Sequence, residues 1–323
     1  MKGKNTVYAK RAAVGGGPTG AEEVIFVRAA ALSFAGSDFT TRQGFVEYIE
    51  NTVAPAGEGG PFLLVFPAHL ALFYAFRCGD LGAAPNFTKA ASAFLSLPPA
   101  WYGEFLDLQR ALARRLQAYL VPGSILVADC GQIYHEARLL SPGGEELGCQ
   151  RQLFLSREER DLGWCRGAEA IVFATGLGRL ALIIGTDAWY PEVGRVLALQ
   201  GAEIVCHCGA LPAGESTWRQ VAGMWQQVQQ NQFFCVESQL VATFAGRTWG
   251  APSLIHAPCE MTGGYTGILA GDRGGKEYQE YIEAELDREA RQEVTRKYPL
   301  LKLLNPAAYQ CLAAPLPEDR NET

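Results

Sequence analysis

Two short stretches concentrate the residues whose types and spacing could do chemistry. In LALIIGTDAWYPEVGR, residues 180–195, an apolar strand runs into Gly185 and leaves as a helix starting near Pro191. That is the pattern of a strained strand-to-helix elbow, the turn on which many hydrolases present a nucleophile. Gly185, at the apex, has no side chain to react. Thr186 offers a hydroxyl, but it lies one residue along and has no base at a telling spacing, so it is expected to cap the helix, with Asp187 or Glu192 favouring its positive end. The second stretch is CHC at 206–208. With Cys130 or His135 these thiols and imidazole could hold a soft metal, yet C-x-C lacks the second half of a zinc pattern. Neither metal nor cofactor is expected, and Cys206 and Cys208 read as buried thiols. His69 could serve as a base near neutral pH, although a packed, hydrogen-bonded histidine is its expected role. Glu136 and Glu237 are lone carboxylates on strands, expected to pair with Lys or Arg.

Positioning such residues takes alternating elements. EVIFVRAAAL reads as a strand, TTRQGFVEYIENTV as a helix capped by Thr40 or Thr41, and FLLVFP as the next strand, which makes a β-α-β unit. PPAWYGEFLDLQRALARRLQAYLVPG carries Phe105, Leu108, Leu112 and Leu116 at helical spacing and stops at Pro122-Gly123. Hairpins are predicted at SPGG and at Gly176–Gly178. Residues 216–231 place Trp218, Val221, Trp225 and Val228 on one helical face. The segment ELDREARQEVTRKYPLLKLL reads as a charged helix that runs out at Pro299. Residues 76–99, FRCGDLGAAPNFTKAASAFLSLPP, read as an insertion without a motif. Residues 1–21 have no hydrophobic period and are expected to be a flexible arm. Residues 22–323 are expected to form one domain.

Bulk composition narrows the function classes. The 323 residues carry a net charge of −6, which argues against nucleic acid, because phosphate surfaces need clustered Lys and Arg. The longest apolar run near the start contains Arg28 and is too short to cross a bilayer, so no membrane partner is expected. Nine scattered cysteines without C-x-x-C pairing suit reduced thiols and a cytoplasmic setting.

Several strings, in order, resemble the nitrilase, or carbon-nitrogen hydrolase, superfamily: LLVFPAH, YHEARLLSPGGEELGCQRQLF, LALIIGTDAWYPEVGR, LQGAEIV, QQNQFFCVES, GAPSLIHAP and RKYPLLKLLNPAAY. Their collinearity over residues 23–310 carries the resemblance. It implies an α/β fold, an α-β-β-α sandwich of two mixed sheets flanked by helices. It also implies a homodimer or higher even oligomer, with the helix after the elbow and the tail against a second subunit.

In that family a Cys attacks an amide or nitrile carbon, a Glu shuttles its proton and a Lys stabilises the developing anion. Carried over residue by residue, the Glu falls on Ala68, the Lys on Gln150 and the Cys on Gly185, while Pro67, Leu153, Phe154, Asp187, Pro191 and Glu192 remain as flanks. Losing one nucleophile costs on the order of 10⁶-fold in a triad-type hydrolase. The resemblance thus implies a pseudoenzyme that binds a small neutral ligand or a partner, in a pocket with less charge than a working site. A lone Lys at 150 should be harder to accommodate than the triple substitution Ala68→Glu, Gln150→Lys and Gly185→Cys, which supplies a carboxylate. The alternative is an amide or nitrile hydrolase with relocated groups drawn from His69, Thr186, Cys206 and Cys208. It requires a nucleophile and a base within about 3.5 Å in the pocket.

Overall fold

A computed structural model describes residues 25–53, 62–214, 218–274 and 277–313. The expected arm at 1–21 lies outside the described residues. Two mixed sheets form the middle of the molecule. In chain order their strands are β1 (Phe26–Leu32), β2 (Phe62–Val65), β3 (Ala118–Val121), β4 (Ser124–Asp129), β5 (Gln132–Leu140), β6 (Glu146–Arg151), β7 (Trp164–Cys165), β8 (Val172–Thr175), β9 (Gly178–Ile184), β10 (Ile204–Gly209) and β11 (Phe234–Gln239). The hairpin β12 (Ala242–Phe244) and β13 (Arg247–Trp249) follows, then β14 (Leu254–His256), β15 (Ile268–Ala270) and β16 (Tyr281–Asp287). The first sheet runs β16-β1-β2-β3-β5-β4, with β6 and β7 added on β5; the second runs β15-β14-β11-β10-β9-β8.

Side-chain alternation along the strands produces the layers. Ala29, Leu63, Val65, Ala137 and Leu139 meet Leu180, Leu182, Ile184, Cys206 and Val236 between the sheets. The alternate residues of the first sheet, such as Leu32, Leu64 and Leu120, pack on the helices α1 (Arg42–Thr52), α2 (Leu70–Arg77), α3 (Phe87–Leu95) and α4 (Pro99–Leu116). Between the two halves lies the short α5 (Arg157–Asp161). Those of the second sheet, Ala181, Ile183, Val205 and Cys235, pack on α6 (Pro191–Leu199) and, past the three-residue α7 (Trp218–Gln220), on α8 (Gln226–Asn231). These three apolar interfaces make the α-β-β-α sandwich. Among the described residues no helix is long and apolar enough to cross a membrane.

Local signals hold where they are strong. The Thr41 side chain accepts from the backbone of Gly44 and caps α1. The hairpin at SPGG joins β5 to β6, and that at Gly176–Gly178 joins β8 to β9. Three expectations are corrected. Helix α4 ends at Leu116 with Gln117 left-handed, and β3 intervenes before Pro122. ELD belongs to β16, so the last helix is α9 (Arg288–Lys297), capped by Asp287. Residues 218–231 do not share one face, because a π-turn at Val221–Trp225, with Gly223 off helical geometry, rotates the register. Trp218 is therefore 72% exposed, while Met224, Gln227 and Val228 are buried.

Candidate functional site

The parallel strands β2, β9 and β10 end along one edge, and the turns that leave them meet there, as ligand sites of α/β sheets do. Ala68 follows β2 and its amide donates to Gly209 O at the end of β10. Gly185 follows β9 with φ of +52°, the left-handed region that glycine enters without steric cost. Ala68, His69, Gly185 and Thr186 line a cavity of about 180 Å³. Its outer wall is aromatic, made by Phe87, Trp164 and Trp249 around His69. Arg247 lies over the Phe87 and Trp249 rings at 4.6 and 5.0 Å and is held by both oxygens of Glu158.

Gln150, expected to stand in the pocket where the family has its Lys, does not line the cavity. Gln150 points away from the elbow: its amide donates to Glu169 O and Arg151 O and accepts from Ile171 N. Gln152 is the residue beside Gly185, and a Cβ built on Gly185 would lie 3.6 Å from Gln152 Nε2. The Gln152 amide donates to Thr186 Oγ1 at 2.8 Å, Phe154 O at 3.0 Å and Glu159 Oε2 at 3.1 Å. Glu159 thus brings a carboxylate to the Gln152 side chain beside Gly185.

A neutral chain of hydrogen bonds runs behind this corner. The His69 backbone donates to Ser124 Oγ at 2.7 Å, Ser124 meets His135 Nε2 at 2.5 Å, and His135 Nδ1 meets Gln152 Oε1 at 2.6 Å. The chain closes consistently if Ser124 donates to Nε2 and Nδ1–H donates to Gln152. The His135 ring also stacks on His69, with centroids 4.8 Å apart. Burial lowers the pKa of both imidazoles; the His135 and Arg247 charges add to this at His69, while Glu159 opposes it at His135. Both rings are held neutral.

The other candidates separate. Thr186 caps no helix: its hydroxyl donates to Phe154 O and accepts from Gln152. Asp187 does not enter the cavity either. Its carboxylate accepts from the backbone of Leu153 and Phe154 and fastens the elbow to the end of β6. Burial raises its pKa to about 7 against the pull of those bonds. Cys206 and Cys208 face the core between the sheets, where burial pushes both thiols up, and His207 faces the other way, so CHC cannot close on one ion. His207 Nε2 instead meets Gly185 O at 3.2 Å.

Glu136 pairs with Arg138 and Arg151, as a lone strand carboxylate should. Glu237 takes histidine instead: His256 Nε2 lies at 2.7 Å, His207 Nδ1 at 3.4 Å, and Gln239 donates at 2.8 Å. Burial alone would raise Glu237, but the histidine hydrogen bonds outweigh it and hold the carboxyl well below the usual range. Glu158, Glu159, Glu237, Arg219 and Arg247 also line the cavity, and Glu159 brings its carboxylate to Gln152 beside Gly185.

Within hydrogen-bond reach, Ser124 and His135 form a nucleophile-base pair. Both are about 1% exposed and lie behind His69 rather than on the cavity wall. Ser124, Gln152, Glu159 and Trp249 carried no sequence signal of their own, since each is brought to the site by pairing or packing.

Comparison with known proteins agrees with this fold. The model of the carbon-nitrogen hydrolase family matches residues 28–296. A probable hydrolase of Bacillus subtilis, YhcX, is 27% identical over 184 residues, which are 55% of this chain and 33% of that protein. A nitrilase of Pyrococcus abyssi is 26% identical over 215 residues, covering 65% of this chain and 73% of the relative. This chain thus spans about one third of the first relative and nearly three quarters of the second. A carbon-nitrogen hydrolase structure from Helicobacter pylori superposes with a TM-score of 0.69 at 20% identity, over 91% of this chain and all of that one. With the family match running from β1 into α9 and the sandwich shared, the chain belongs to the carbon-nitrogen hydrolase family of the nitrilase superfamily.

Proposed function

We propose that this chain is a non-catalytic member of its family, one that binds a small uncharged polar ligand above Gly185. The observation that carries the reading is the elbow itself: its apex has no side chain, and Ala68 and Gln152 flank it where the family's reaction needs an acid-base pair and a cation. The wall supports an uncharged polar ligand. Trp249 Nε1, His69 Nδ1, Gln220 Oε1 and Gln239 Oε1 are buried there without a protein partner, and such atoms are costly unless something bonds them. A molecule offering both donors and acceptors between aromatic faces meets that need.

The relocated-group reading has one observation in its favour, the Ser124–His135 pair. Against it, no carbonyl can approach a hydroxyl sealed by the His69 backbone. Of the groups first considered, Thr186 is engaged on both sides, Cys208 faces the core, and His69 Nδ1 bonds no hydroxyl or thiol.

The test is turnover of simple amides, nitriles and carbamoyl amines by the purified chain. No hydrolysis is expected, and turnover by the wild-type chain overturns the proposal; its loss on thiol blocking or on substitution of His69, Thr186 or Cys208 would assign it to those relocated groups. Its loss in Ser124→Ala would assign it to the buried pair. The pocket geometry is checked by introducing Ala68→Glu, Gly185→Cys and either Gln152→Lys or Gln150→Lys. A cation near a thiol lowers its pKa, so iodoacetamide should modify Cys at 185 faster when the Lys is at 152. Equal rates would remove the assignment of Gln152.

We also propose that the working species is a homodimer or larger even oligomer. Val196 and Leu199 on α6 are 43% and 59% exposed, and Leu300 and Leu303 in the tail are 42% and 74% exposed. Leu301 packs on the same cluster as Val193 and Leu197, which sets the tail beside α6. The eight cysteines whose side chains are described are all unpaired, and on that basis we place the protein in the cytoplasm.

A further inference from the structure

Helix α4, the end of α3 and β4, the last strand in the first sheet's order, enclose a second groove with a volume of about 410 Å³. That is within the range of about 300–1,000 Å³ typical of small-molecule sites. Leu95, Leu97, Tyr102, Leu106, Ile125 and Val127 form its half-buried walls. Phe105, Pro122 and Gly123 are buried at its floor together with Gln109. Gln109 is 0% exposed, and neither its Nε2 nor its Oε1 has a hydrogen-bond partner. A leucine there would serve the core without that cost, and native interiors seldom leave both ends of an amide unpaired.

A second observation comes from Gly103, in the second turn of the 18-residue α4, where glycine is less favourable than alanine. A Cβ at Gly103 would meet nothing within 4 Å. No neighbour therefore demands glycine; the position leaves the mouth of the groove open, two turns from Gln109.

We propose that this groove is a binding site for an uncharged molecule with an apolar body and a carboxamide or lactam head. An amide head pairs with Gln109 donor to acceptor and acceptor to donor, which satisfies both orphaned atoms. An anion fits poorly, because the nearby cation, Arg138, is already held by Glu136 at 2.6 Å and Glu146 at 2.9 Å, and a carboxylate would face Gln109 Oε1 without a proton. An ammonium would leave Nε2–H unpaired. A protein side chain from outside is a poorer occupant, since the polar anchor lies at the floor beneath apolar walls. The site is separate from the Gly185 cavity and shares no lining residue with it.

The experiment is calorimetric titration of the full chain with para-butylbenzamide, para-butylacetophenone and para-butylbenzoate, which share an apolar body and differ in the head. The amide should bind saturably and about tenfold tighter than either control, the scale of one buried hydrogen-bond pair. Gln109→Leu should bring the amide down to the ketone's affinity while the variant melts no lower than the wild type. Gly103→Trp, which fills the mouth without removing a contact, should abolish binding of all three. No saturable binding, equal affinity for the three heads, or amide binding retained in Gly103→Trp overturns the proposal. If Gln109→Leu fails to fold, the three-probe comparison and Gly103→Trp still decide.

Discussion

At the scale of single residues, the four histidines show how burial and partners set chemistry. None is more than 8% exposed, and they divide into a neutral pair, His69 on His135, and a pair that holds Glu237. The neutral pair gives a pH prediction. An imidazole whose folded pKa lies below its unfolded value of about 6.5 takes up its proton mainly on unfolding, so its stability contribution is full above that pH and is lost as pH falls. His69 sits at φ of +59°, a backbone region that Asn tolerates. His69→Asn should therefore fold and should lose less stability than the wild type between pH 7 and 5, by up to about 1.4 kcal/mol per pH unit. Parallel pH dependence of the two in urea titrations would show that His69 is not held neutral. A second prediction concerns Gln150. Lys at that position offers no acceptor to Ile171 N, and an unpaired buried amide costs about 1–3 kcal/mol. Gln150→Lys should lower stability by that amount while leaving ligand binding above Gly185 unchanged. Weakened binding at unchanged stability would return Gln150 to the site.

Among the elements, the elbow depends on helices that never touch the cavity's reactive corner. Gln227 on α8 donates to Ala188 O at 2.6 Å, which steadies the turn from behind. The helices can approach because α6 carries Gly194. A Cβ there would come within 1.9 Å of Gln227 Oε1 and 3.1 Å of Asn231 Nδ2. Gly→Ala inside a helix ordinarily gains about 1 kcal/mol, whereas overpacking costs about 1–3. Gly194→Ala should thus be net destabilising, with faster hydrogen exchange at residues 185–189. An unchanged or raised melting temperature would mean that α6 and α8 are free to separate. The same region marks where periodicity misleads. The π-turn at Val221–Trp225 adds a residue to one turn, so a pattern counted at 3.6 residues puts Trp218 on the buried side although it is exposed.

For the whole molecule the prediction is association. Leu199 and Leu303 leave apolar surface on neighbouring elements, which monomeric proteins ordinarily cover. The wild type should sediment as a dimer or larger at micromolar concentration, and Leu199→Glu with Leu303→Glu should shift it toward monomer without changing far-ultraviolet dichroism. A monomeric wild type would reject the proposal. The sandwich itself needs no partner for its core, because each sheet buries one face on the other sheet and one on helices.

The sequence by itself determined the sandwich and an elbow with glycine at its apex, because these rest on glycine and on a collinear series of strings that resembles a known family. Thr41, the two hairpins and Glu136 were legible for the same reason: their partners are near in sequence or dictated by charge. Only the tertiary structure decided which glutamine meets Gly185. Gln150 and Gln152 share parity, so alternation cannot choose between them. The choice follows from where β6 stops pairing, with Gln150 opposite Ala137 inside the ladder and Gln152 beyond its last residue, free to turn under the elbow. Glu237 was likewise beyond local reading. Its partners His207 and His256 arrive on β10 and β14, which flank β11, and strand pairing between distant segments is a property of the folded sheet.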